Sequence, residues 1–172
     1  MNPLEPPDSH FFNAAVGWLE LGLTRDAMTD FARISPPGRF HPDARRLEKL
    51  LLPAHWETLA GEKRWTEALV IASRLLEIDR DQPTGWINRS YTLHELQRTQ
   101  EAHETLLKAL PLFPTLGIIP YNLACYACQM GKMDEARSWL RQAMEQEGRE
   151  QILKRARDDR DLVALHDELG LL

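Results

Sequence analysis

The chain has 172 residues, 43% of them apolar and 27% charged, which is the composition of a globular protein able to form one compact domain or a short repeat array. A formal charge of −5 argues against nucleic acid as the main partner, because counterion release needs clustered cations. No apolar run approaches the roughly 18 residues that span a bilayer, and the two cysteines provide no disulfide framework, so a protein of a reducing cytoplasm with no membrane partner is expected.

Residues 1–8 are proline-rich and lack the basic start and apolar core of a secretory signal, so they are expected to be extended. Asp8 or Ser9 can cap a helix beginning near His10, in which Phe11, Ala14, Ala15, Trp18 and Leu21 recur at helical spacing. Gly22 should end it, and Thr24 should cap a second helix carrying Ala27, Phe31 and Ile34. Three prolines and a glycine interrupt Ser35 to Pro42, which reads as a loop. A helix should start near Pro42 and run through Leu47, Leu50 and Leu51, with Pro53 kinking or splitting it. Trp65 to Asp79 then has a regular pattern in Trp65, Ala68, Leu69, Ala72, Leu75 and Leu76.

The segment from Pro83 to Met144 contains two copies of one helix-turn-helix pattern. Ala68, Ala102 and Ala136 are spaced by 34 residues, and each follows a glutamate, Glu67, Glu101 or Glu135. Leu106 with Leu140, Ala109 with Ala143 and Asn88 with Asn122 keep the same register. Trp86, Ser90 and Leu93 form one face of a first helix, and Ala102, Leu106 and Ala109 one face of a second. The small residues at 102 and 109 let the two backbones approach, while Trp86 and Leu106 fill the space beside them.

A period of 34 residues with these residue types resembles the tetratricopeptide repeat. Trp86, Ala102, Leu106, Ala109 and Pro114 match its signature, as do Asn122, Leu123, Ala124, Gly131, Ala136, Leu140 and Ala143, with Pro120 replacing the usual aromatic. The resemblance implies an all-α, right-handed superhelix of stacked helix pairs forming a single domain over residues 1–172. Repeat one covers 9–35, an irregular repeat two 42–80, repeat three 83–114, repeat four 117–147 and a C-terminal cap 149–170. Ala27 and Ala68 lie 41 residues apart, seven more than the period, and the loop at 35–42 takes up the excess. Ile152, Leu153, Leu162, Leu165 and Leu169 supply the apolar side of the cap, since terminal repeats need a covering element. The run from Ala156 to Leu162 is similar to the tail that follows the last repeat in many bacterial members of the family.

In such arrays the first helices line an inner face. The candidate peptide-binding residues on it are Phe12, Asn13 and Val16 in repeat one, Ile87, Asn88, Tyr91 and His94 in repeat three, and Tyr121, Asn122 and Cys125 in repeat four. Asn13, Asn88 and Asn122 each precede a packing alanine by 14 residues. An amide offers donors and an acceptor to the backbone of an extended peptide, although it can equally satisfy an inter-helix turn or face solvent. The resemblance implies ligand contact at that position. A clamp for an acidic chaperone tail would need lysines and arginines beside the asparagines, where this chain has Val16, Ile87 and Ile118, so a neutral, partly apolar groove is expected. The expected function is therefore non-catalytic binding of another protein or peptide as an adaptor or scaffold, with self-association left open. A role like that of the small type III secretion chaperones is the alternative. A contrasting class is a metal or redox protein centred on Cys125 and Cys128, whose spacing suits such chemistry but which lie within a helix, where packing also explains them. No phosphate loop, nucleophile elbow or HExxH spacing appears, and neither a catalytic residue nor a cofactor is expected.

Overall fold

The structure is a computed structural model that describes residues 3–171. Its helices are α1 (Asp8–Glu20), α2 (Thr24–Phe31), α3 (Pro42–Gly61), α4 (Trp65–Ile78), α5 (Pro83–Glu95), α6 (Thr99–Ala109), α7 (Ile118–Gln129), α8 (Met133–Glu147) and α9 (Arg149–Arg157). A short 3-10 turn at Gly38–Phe40 precedes α3, and 3-10 turns continue from Arg160 to Leu171 after α9. Among the described residues there is no strand, and no helix is long and apolar enough to cross a membrane. The helices gather into two compact units, residues 1–80 and 81–172.

One turn joins both helices of every pair. Gly22 N donates to Leu19 O and Leu23 N to Trp18 O, and the same two bonds recur at Lys63 and Arg64, at Gln97 and Arg98, and at Gly131 and Lys132. The first residue of each couple has a positive φ, between 57° and 73°. This left-handed residue lets two terminal carbonyls find partners while the chain reverses. The residue after it stands at the N-cap position of the next helix without a side-chain capping bond, and in three turns it holds the glutamate three positions on. Arg64 clasps Glu67, Arg98 clasps Glu101 and Lys132 lies 3.7 Å from Glu135. The recurring glutamate before each alanine is thereby accounted for.

In the first unit, Ala15 of α1, Ala27 and Phe31 of α2, and Ala44, Leu47 and Leu51 of α3 form the core with Ile34. Leu4, Phe11, Phe12, Val16, Leu19 and Met28 pack against it. α3 runs through Pro53 as one helix, so of the kink or split that the sequence allowed there the split does not occur. Proline lacks the N–H that would bond the carbonyl four residues back, and the buried Leu51, Leu52 and Leu59 hold the helix across that lost bond. Two expected caps are also differently used. Thr24 Oγ1 sits 2.9 Å from Thr58 Oγ1, and the Asp8 carboxylate receives Ser35 N at 2.8 Å and Ser35 Oγ at 2.5 Å.

The second unit packs α5 on α6, α6 on α7, α7 on α8 and α8 on α9, while the 160–171 segment lies on α7 and α9. Ala102, Ala109, Ala136 and Ala143 are fully buried, beside Leu93, Leu106, Leu123, Tyr126 and Leu140. Ile152, Leu162 and Leu165 are fully buried as well, so the C-terminal segment joins this core. Each buried leucine contributes about 1.5–3 kcal/mol relative to exposure.

Candidate interaction site

α5 and α7 present the expected face of the second unit, and part of that face is covered by the chain itself. α9 ends at Arg157, and the next residues turn back across α7. Tyr121 Oη donates to Asp159 Oδ2 at 2.8 Å, and Cys125 Sγ lies 3.6 Å from the same oxygen. Asp159 Oδ1 receives Asp161 N at 3.0 Å, which fixes the turn. Gln129 Nε2 donates to Asp161 O at 3.0 Å. The Arg155 guanidinium sits 5.0 Å from the centre of the Tyr121 ring.

His94 ties α5 into the same cluster. Its Nε2 lies 2.9 Å from Asp161 Oδ2 and its Nδ1 lies 3.0 Å from Thr99 Oγ1. A carboxylate only accepts, so Nε2 carries the hydrogen that points to Asp161, while Nδ1 pairs with the Thr99 hydroxyl. The Tyr126 ring stands 4.9 Å from the imidazole, and its Oη is 3.4 Å from Ser90 Oγ. Tyr91, His94, Glu95, Asn122 and Tyr126 on the helices, with Asp159, Arg160 and Asp161 on the tail, enclose a cleft of about 180 Å³.

Of the residues singled out from the sequence, Tyr91 is the most open of those in the second unit, at 39% exposed, and Asn122 and Ile87 are half-buried. Asn88, His94, Tyr121 and Cys125 are buried, although the sequence reading expected all these side chains to lie off the packing face. For His94, Tyr121 and Cys125 the physical reason is the tail: Asp159 and Asp161 take up donors that would otherwise face solvent. In the first unit Asn13 is exposed, while Phe12 and Val16 lean on the core. The expected neutrality is corrected too, since Glu95, Asp159 and Asp161 place three carboxylates at the cleft against Arg160. Sequence reading missed Asp159 and Asp161 as part of this face because their partners lie 34 to 67 residues away. The only available signal was the aspartate-rich run itself.

Both cysteines are held as thiols. Burial, reinforced by Asp159 and Asp161, pushes Cys125 well above the usual thiol range, and burial raises Cys128 as well. A thiolate is the metal ligand and the nucleophile, so neither position is poised for such chemistry. His94, on the neighbouring first helix, spends both ring nitrogens on Thr99 and Asp161. Among the described residues no group of three His, Cys, Asp or Glu side chains is arranged to hold a metal ion.

No protein-family model matches the sequence, and no curated protein does. Solved structures do match the fold. MamA RS-1, solved as a double mutant, has a TM-score of 0.67 at 13% identity over 98% of this chain and 95% of that one. A second MamA structure gives 0.64 at 13% identity over 84% and 81%. A thermophilic tetratricopeptide protein of Thermus thermophilus gives 0.50 at 20% identity over 97% and 83%. The chain has an all-α fold of tetratricopeptide-type helix pairs. At these identities the likeness establishes architecture and carries no ligand with it.

Proposed function

We propose that the chain is a non-catalytic protein-interaction module, and that the α5–α7 cleft of its second unit receives a segment of a partner protein. The observation that carries this reading is the rim of that cleft. Tyr91 stands open there next to Asn122, and tyrosine is among the side chains that concentrate binding energy at interfaces. Asn122 offers an amide to a peptide backbone. Glu95, Asp159 and Asp161 outweigh Arg160 in charge, which suits a segment carrying a lysine or arginine beside an apolar side chain. The same helix-pair fold in solved tetratricopeptide structures supports the reading as an analogy of architecture. The two thiols, raised above the usual range, offer no activated nucleophile.

The test is capture of the partner from native extract followed by titration calorimetry with the parent, Tyr91→Ala and Asn122→Ala. Loss of a backbone-directed amide or of the aromatic contact should cost about 1–3 kcal/mol of binding each. Full affinity in both variants would move the binding surface away from α5 and α7.

A further inference from the structure

The seven residues by which the first repeat spacing exceeds 34 build a feature that the tetratricopeptide pattern does not require. The loop from Ser35 to His41 is pinned at several points. Asp8 receives Ser35 N and Oγ, Ser35 Oγ receives Gly38 N at 3.1 Å, and Arg39 donates to the carbonyls of Ile34 and Ala32. Gly38 fits against Asp8 so closely that any Cβ would overlap the carboxylate. This rigid loop nevertheless holds the Phe40 ring out in solvent, 69% exposed, where folding gains nothing from it.

Phe40 forms one wall of a cleft of about 660 Å³ between the loop, the start of α3 and the end of α4, with Ile78 also lining it. That volume lies in the range of ligand sites, about 300–1,000 Å³. Its charges are unevenly matched. The buried Glu48 takes Arg74 through two bonds of 2.8 and 3.2 Å, Glu77 approaches Arg74 at 3.6 Å, and Lys49 reaches Asp79 at 2.6 Å. Arg39 spends its hydrogen bonds on neutral carbonyls, and Arg45 lies over the Phe40 ring at 5.2 Å. Among the described residues neither lies within ion-pair distance of a carboxylate, and four cations, Arg39, Arg45, Lys49 and Arg74, face three carboxylates, Glu48, Glu77 and Asp79, so the exposed ring stands beside a net positive charge in a chain whose net charge is −5.

We infer that this cleft is a docking site for an acidic segment of a partner protein that carries an aromatic side chain. The aromatic ring packs on Phe40 and Ile78, and flanking carboxylates meet Arg39 and Arg45. Arginine and aromatic side chains are the types enriched at interface centres, and an arginine already stacked on a ring is pre-set for a bidentate carboxylate. Arg39 and Arg45 sit beside the exposed ring without a carboxylate partner, whereas Arg74 is already paired with the buried Glu48. Several carboxylates on one strand reach them better than one compact acid would. This site lies wholly within the first unit and is independent of the α5–α7 reading.

The experiment is titration calorimetry of the full chain with two blocked peptides, Ac-Glu-Glu-Trp-Glu-Glu-NH2 and Ac-Lys-Lys-Trp-Lys-Lys-NH2, and with indole-3-acetate. The acidic peptide should bind saturably, weaken with added salt, and lose about tenfold in affinity in Phe40→Ala and in Arg45→Ala. Both residues are exposed, so unchanged melting curves should show that the variants are folded, and Asn122→Ala should bind the peptide as the parent does. Absence of saturable binding overturns the inference, as does equal binding of the lysine peptide or full affinity in both variants. Binding of indole-3-acetate as tight as that of the acidic peptide would overturn it in favour of a small aromatic acid.

Discussion

His94 and Asp161 meet at 2.9 Å across 67 residues of sequence, and through them the last segment of the chain is tied to the first helix of its unit. Asp161→Ala would leave the Nε2 hydrogen of a buried imidazole without an acceptor. A loss of about 1–3 kcal/mol of stability is expected, read as a lower urea midpoint, with Asp161→Asn losing less because its amide oxygen can still accept. An unchanged midpoint in Asp161→Ala would mean that the contact contributes nothing.

Truncation after Gly148 removes α9 and the 160–171 segment together. Tyr121, Cys125 and the apolar side of α7 and α8 would then be open to water, and exposed patches of that kind promote association. The truncated chain should aggregate or unfold without cooperativity. A monomer with the parent's unfolding transition would contradict the role of this segment as part of the core.

The four equivalent turns allow a clean backbone test. Gly131 has a φ of 73° and open space around its Cβ position, so Gly131→Ala adds no clash and only the cost of left-handed backbone, about 1–2 kcal/mol. Gln97 stands at the same place with a φ of 61°, and Gln97→Gly should change stability in the opposite direction by a smaller amount, since glycine also loses more entropy on folding. Thermal melts of both variants check the pair of signs.

Ala102 and Ala136 are fully buried where two helices approach. Replacing either with Leu should destabilise by about 1–3 kcal/mol through overpacking. Equal urea midpoints for parent and variants would remove this assignment.

His103 is buried, with Glu135 Oε1 at 2.9 Å from Nε2 but out of hydrogen-bond alignment. Burial depresses its affinity for a proton below the ordinary 6.5, and the partial opposition of Glu135 does not reverse this. The unfolded chain therefore binds a proton that the folded one refuses. This contribution to stability is complete above pH 6.5 and declines as the pH falls through that value. The slope of stability against pH between about 5 and 7 should flatten in His103→Gln, and an identical slope would exclude His103 as its source.

The helix pairs were legible because close packing of two helices demands small residues at fixed intervals, and that demand is local enough to leave a period. Ala68, Ala102 and Ala136 announced it, and the left-handed turns at Lys63, Gln97 and Gly131 follow the same 34-residue spacing without a shared residue type. A polypeptide turn can be set by its neighbours' packing, so Lys and Gln stand where glycine would be read as a signal. Pro53 does not split its helix for a like reason: burial of Leu51, Leu52 and Leu59 holds α3 together across one missing bond.

What sequence periodicity cannot carry is a contact between one element and another outside the repeat. Asp159 on Tyr121 and Asp161 on His94 depend on where the chain returns after α9, and that path is fixed by burial of Ile152, Leu162 and Leu165. The sequence offered the α5–α7 face as a candidate, while the charge of that face and its degree of cover were decided only in three dimensions. The same holds for the first unit. The seven extra residues marked a loop in the sequence, but its rigidity comes from Asp8 bonding Ser35 across 27 residues, and so does the outward stance of Phe40 beside Arg45.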